Sequence, residues 1–235
     1  MKKVKKFLEV LISSVYPNKC IACGELIDEG EYLCCICNKN IEKINLDNFC
    51  FCCGHEMDEC VCKYNIYRFA GVTCAFKNKG VARKGYYSYK FSKKQHYVKY
   101  FSDELSFVID KSFSVKDIDI ICAVPAYKKS GYDHAGYIAK EVSKKLQIPV
   151  ATELLSCVKR SKRQHKSTIQ ERLINIDGKY KCNYRVDDLN VLLIDDIKTT
   201  GATLDECAKT LMFAGANNVY CAVVLGTGEN KKIEK

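Results

Sequence analysis

Apolar positions along this chain follow two alternating rhythms. Four consecutive apolar residues, Val191 to Ile194, run straight into Asp195 and Asp196, as expected of a strand buried on both faces of a parallel sheet. Asp117 to Val124 (stopped by Pro125), Val150 to Leu155 and Val219 to Leu225 read the same way. Alternation around Phe69 to Phe76 and Tyr86 to Phe91 predicts further strands, with aromatics facing a core and lysines facing water. Elsewhere the spacing becomes helical. Tyr97, Phe101, Leu105 and Val108 form one stripe between Lys94 and Ile109. Ala135, Ile138, Ala139, Val142 and Leu146 form another from about Asp133. Leu204, Cys207, Ala208 and Leu211 form a third, which Gly215 ends. Strand and helix alternate, so the fold class is α/β, a parallel sheet flanked by helices.

Composition adds a second, smaller unit. At 235 residues and 47% hydrophobic content there is room for one medium domain and an appendage. No run approaches the roughly 18 apolar residues of a membrane span. The start imitates a signal peptide, but Glu9 interrupts its apolar stretch and no small-residue cleavage site follows. Residues 1–18 are therefore expected to form a short amphipathic helix, 19–66 a cysteine-rich unit and 67–235 the α/β domain, in a cytoplasmic protein.

Of 16 cysteines, eight form close pairs: Cys20/Cys23, Cys34/Cys37, Cys50/Cys53 and Cys60/Cys62. Such pairs put two thiolates on one metal through a tight turn, and two pairs complete a tetrahedral S₄ site, usually for zinc. Two consecutive structural zinc ribbons are the simplest reading; cross-braced pairing, redox thiols or an iron–sulfur cluster are the alternatives. Cys35 and Cys52 are surplus, and Cys52 or His55 is a substitute ligand for the second site.

Charge is concentrated. The chain is +10 overall, and residues 67–102 carry nine basic and no acidic side chains. Interleaved with Phe and Tyr, these cations fit either a solvated basic face or a platform for single-stranded nucleic acid. The basic run Lys159 to Lys166 is either a plain solvated loop or a lid.

The acids after Ile194 are followed by Lys198, Thr199, Thr200, Gly201, Ala202 and Thr203. Gly201 permits close backbone approach, and hydroxyls beside a helix start suit a phosphate. Residues 191–203 resemble the signature of type I phosphoribosyltransferases, which bind 5-phosphoribosyl-1-pyrophosphate (PRPP). That resemblance gives Asp195 and Asp196 the ribose hydroxyls, Lys198 to Thr203 the 5′-phosphate, and Ala126, Tyr127 and Lys128 the pyrophosphate, with Mg²⁺ accompanying PRPP. Lys198 departs from the usual apolar or aromatic residue. With the cysteine block, Tyr16-Pro17 ahead of it, Gly131-Tyr132, and Gln164, Arg172 and Asn175, the chain resembles the ComF family of competence proteins. Family members more often carry Arg-Gly-Phe/Tyr-Asn-Gln where Ser130 to His134 stand here. The resemblance implies a role in DNA uptake, with single-stranded DNA and uptake proteins as partners. It implies either phosphoribosyl transfer to an unidentified acceptor or a binding role without turnover.

Overall fold

The computed structural model describes residues 17–60, 62, 66–92, 95–126, 132–158 and 178–226. The helix expected in residues 1–18, the Tyr127 and Lys128 positions and the basic run 159–177 lie wholly or largely outside them.

The cysteine block contains a short helix α1 (Cys35–Asn40) and a two-stranded antiparallel pair, β1 (Phe49–Cys50) and β2 (His55–Glu56). The remaining elements follow as β3 (Gly71–Lys77), α2 (Gly80–Ser92), α3 (Val98–Ser112), β4 (Ile120–Ala123), α4 (His134–Leu146), β5 (Leu155–Cys157), β6 (Tyr180–Cys182), β7 (Asn190–Lys198), α5 (Ala202–Phe213) and β8 (Asn218–Gly226). Four strands form a parallel sheet in the order β3-β8-β7-β4. β5 and β6 pair separately and antiparallel.

Apolar side chains alternate between two cores, one on each side of the sheet. Leu192, Ile194, Ala222 and Val224 join Phe101, Leu105, Ile138 and Val142 on one side. Val191, Leu193, Cys221 and Val223 join Leu204, Cys207 and Leu211 of α5 on the other. Cover on both faces explains why the central strands read as continuous apolar runs.

Two expectations change. Tyr86 to Phe91 is not a strand but the second half of α2. Ala82, Gly85, Tyr86 and Tyr89 are its buried residues, a helical spacing that outweighs the local alternation. Its N-terminus is capped from a distance: Glu42 accepts from the N–H groups of Val81 and Ala82 at 2.9 and 3.2 Å. Val150 to Leu155 is likewise not one strand. Val150 makes a single parallel bridge to Ile121, and the chain then turns away before β5.

The cysteine block is packed along the exposed edge of β3. Val72 donates to the Phe51 carbonyl at 2.7 Å, Lys77 to that of Glu42 at 2.8 Å, and Ala75 accepts from Ile44 at 3.2 Å. An edge strand left open would be a template for aggregation, so this cover has a physical purpose. Further along, Tyr97 donates to the Lys19 carbonyl at 2.7 Å, and Ile21 is buried in the core of α2 and α3.

The same packing accounts for the basic segment. Arg68 pairs with Asp205, Lys77 with Glu56, Lys90 with Asp196 and Lys99 with Asp103. Phe69, Phe76, Tyr86, Tyr89, Tyr97 and Phe101 are all buried. Those aromatics are core residues; three of the cations neutralise acids supplied by other parts of the chain, and Lys99 pairs with Asp103 on its own helix. No helix among the described residues is long and apolar enough to cross a membrane.

Candidate functional site

Two metal centres lie in the cysteine block. The Sγ atoms of Cys20, Cys23, Cys34 and Cys37 fall within 4.8 Å of one another, and so do those of Cys50, Cys53, Cys60 and Cys62. Pairing is consecutive, not cross-braced. Each begins with the same turn: Gly24 donates to Cys20 and Gly54 to Cys50, at 2.9 and 2.7 Å, with φ of +82° and +75°. Sulfur separations of 3.6 Å (Cys23–Cys34), 3.5 Å (Cys50–Cys62) and 3.8 Å (Cys53–Cys60) suit a tetrahedral ion. With zinc–sulfur bonds of about 2.3 Å, the edge of such a tetrahedron is about 3.8 Å. Four thiolates leave no position for a substrate, so both centres are structural. Cys35 and Cys52 stay exposed outside them. His55 is not a ligand; its Nε2 lies 3.4 Å from Lys198 Nζ.

The second site is at the carboxyl end of β7, between β8 and β4. Asp195 and Asp196 open there onto a cavity of about 510 Å³, shared with Ala126 and Pro125 after β4, Tyr132 and His134 at the start of α4, and Lys90 of α2. Asp195 Oδ1 accepts the Asp196 N–H at 2.7 Å, and Lys90 Nζ is paired with Asp196 Oδ2. Burial, reinforced by the neighbouring Asp196 charge, pushes the Asp195 carboxyl well above its ordinary range. His134 is pushed down by burial and then by Lys90, so its ring favours the neutral form. That ring lies against Tyr132 and Tyr89, with centroids 4.4 and 5.4 Å apart.

The Thr/Gly loop continues from the acids into α5. Thr199 is exposed, while Gly201 and Ala202 are buried. Tyr67 braces it by donating to the Thr200 carbonyl at 3.2 Å. Gly201 adopts φ +80°, and a Cβ there would meet Tyr67 Cε1 at 3.1 Å. Gly201→Ala is therefore expected to cost about 2 kcal/mol from the left-handed conformation alone, measured by denaturant unfolding.

Asp195, Asp196 and Ala126 thus meet in one cavity. Thr199 to Gly201 form an adjoining loop and Ala202 and Thr203 begin α5, all outside its walls. Lys198 turns back beneath the loop, 2% exposed, towards His55 and the Thr199 carbonyl. Sequence reasoning did not single out Lys90, Tyr67 or His55 for these positions. The helical spacing of Ala82, Gly85, Tyr86 and Tyr89 was the one available signal for Lys90.

A family model described as "Double zinc ribbon domain" matches residues 11–70, and one described as "Phosphoribosyl transferase domain" matches residues 132–235. The chain is 26% identical to "Competence protein F" of Haemophilus influenzae, across 46% of this chain and 51% of that protein. The chain is thus similar to a competence protein and carries both matched domains. The matched region spans about half the length of this curated relative. The order of the two matched domains fits the geometry above, since the double ribbon covers the sheet edge of the phosphoribosyltransferase-like fold.

Among solved structures, the chain is similar to a purine phosphoribosyltransferase from Pyrococcus horikoshii. That likeness has 18% identity, 58% of this chain and 94% of the other covered, and a TM-score of 0.36. A hypoxanthine phosphoribosyltransferase from Staphylococcus aureus has 14% identity, 57% and 65% coverage, and the same TM-score of 0.36.

Proposed function

We propose that this ComF-like chain binds PRPP or a related phosphoribosyl ligand in the cavity at the end of β7 and transfers the phosphoribosyl group to an acceptor during DNA uptake. The observation that carries this reading is the pair Asp195–Asp196. Two adjacent carboxylates at the carboxyl end of an inner parallel strand, followed by a glycine loop and a helix start, match a ligand with hydroxyls in the middle and phosphate at one end.

In this reading Asp195 and Asp196 accept hydrogen bonds from the ribose 2′ and 3′ hydroxyls. The backbone and hydroxyls of Thr199 to Thr203 hold the 5′-phosphate, with Lys198 supporting the loop from beneath. The segment Ala126 to Lys128 takes the diphosphate. Transfer breaks the bond from C1 to diphosphate oxygen and forms one from C1 to the acceptor. The carboxylates stabilise the positive charge that develops on the ribose between those events. Mg²⁺, when bound with PRPP, screens the leaving diphosphate. Eight ligating thiols fit a reducing compartment, so the proposed place of action is the cytoplasm. The role in DNA uptake, and any single-stranded DNA or uptake protein as partner, rests on the resemblance to competence proteins.

Calorimetric titration with PRPP and Mg²⁺ tests the site. Wild type is expected to bind, and Asp195→Asn/Asp196→Asn to weaken binding by more than about 100-fold, since two charge-assisted hydrogen bonds are lost. Absence of binding by the wild-type protein would overturn the reading.

A further inference from the structure

Lys90 enters the cavity from a part of the chain that neither family model covers, between residues 70 and 132. It stands in the last turn of α2, where a cation complements the helix dipole. Tyr86 and Tyr89 are 0% and 1% exposed, so the helix is pinned and Lys90 is presented to the cleft. The Lys90 and Asp196 side chains are 27% and 18% exposed.

The cavity has an unbalanced lining. Asp133, Asp195 and Asp196 supply carboxylates, and Lys90 is the one lysine or arginine among the described lining residues. Asp133 is already committed, accepting from the Gly136 N–H at 2.9 Å as the cap of α4. A ligand carrying several phosphate charges meets two acids here and needs a cation on the same wall. Ala126, where the proposed diphosphate segment begins, and Pro125 before it line the same cavity as Lys90.

We propose that Lys90 is a diphosphate-binding residue held in reserve on Asp196. The inference rests on the phosphoribosyl reading of the site given above. In the free protein the ammonium neutralises Asp196. When ligand enters, a ribose hydroxyl replaces it on the carboxylate, and the ammonium turns to the diphosphate oxygens. The exchange is feasible because both partners of the ion pair are partly exposed, and water screens such pairs enough to make them weak. A diphosphate, with several charges and many acceptor oxygens, is the stronger partner for an ammonium.

Two probes separate the roles of Lys90: PRPP, and ribose 5-phosphate, which has the same ribose and 5′-phosphate but no diphosphate. By calorimetry with Mg²⁺, Lys90→Gln is expected to bind PRPP about 10–100-fold more weakly, the loss of one charge-assisted contact. It is expected to bind ribose 5-phosphate about 2–5-fold more tightly, because nothing then competes for Asp196. Lys90→Arg is expected to keep PRPP affinity within a few-fold. Opposite signs on the two ligands, with rescue by arginine, support the proposal. Parallel loss on both probes would make Lys90 a structural support, and parallel gain a mere competitor for the acid; either overturns it. Wild-type protein that binds neither probe overturns the phosphoribosyl reading itself, a different signature.

Discussion

Cys53→Ser removes one zinc and destabilises the whole chain, not only the second ribbon. Cys53 is 0% exposed, and its ribbon is tied to the sheet at several points. Phe49 is buried with Phe69 and Val72, the Phe51 carbonyl receives the Val72 N–H at 2.7 Å, and Glu56 pairs with Lys77 at the end of β3. A segment this short has little core of its own, so its folding free energy comes largely from the metal. Structural zinc contributes apparent binding free energies of about 10–16 kcal/mol in isolated fingers. Only part of that is at stake here, because the sheet has its own two cores. A loss above about 4 kcal/mol is still expected, outside the ordinary range for a point substitution. For a chain of this size that corresponds to roughly 10 °C in Tm. Elemental analysis should give two zinc ions per wild-type chain and one for the variant. Two ions in the variant, or an unchanged Tm, would show that the ribbon is neither a four-thiolate site nor a support for the sheet.

This coupling reaches the Thr/Gly loop. A Cβ on Gly54 would meet Val72 and Lys198, His55 meets Lys198, and Tyr67, just beyond the ribbon, bonds to Thr200. The Thr/Gly loop is thus built on the second ribbon as much as on β7. The sequence could not display that arrangement, since His55 and Lys198 are separated by 143 positions. What was legible is what periodicity reports. Val191 to Ile194 read as buried because α5 covers one face and α3 and α4 the other. Ala135 to Val142 read as a helix because its stripe is uninterrupted, and Asp133, where that helix was expected to start, is its N-cap. The cysteine spacing also gave the two metal centres correctly, because ligand pairs are local. Tyr86 to Phe91 misled because Tyr87, Tyr89 and Phe91 alternate, while the helix owes its start to Glu42, which lies 39 positions before Val81. β7 outran its apolar run for a similar reason: β8 is equally long and keeps pairing through Lys198 and Gly226. Long-range partners decided each point that local pattern missed, including the pairing of Lys90 with Asp196.

Asp195→Asn is expected to make the ligand-free protein more stable and the ligand-binding protein worse. The folded-state pKa of Asp195 is raised, chiefly by burial and then by the Asp196 charge. Over the interval from the unfolded value, about 3.9, up to the folded value, the native state holds the extra proton. Stability therefore falls as pH rises through that interval, and the full penalty is present above it. Asparagine removes the charge while its Oδ1 can still accept the Asp196 N–H that now bonds to Asp195 at 2.7 Å. At pH 7 the variant should melt about 2–4 °C higher, the shift produced by roughly 1 kcal/mol in a chain of this length. The gain should shrink on acidification and vanish near about pH 4, where both proteins are neutral at this position. PRPP affinity should fall by about 10–100-fold in the same variant. A gain that does not vary with pH would mean that the charge is not the source of strain. A half-buried carboxylate kept at a cost to stability, and needed only when ligand is present, is the trade expected of a binding site.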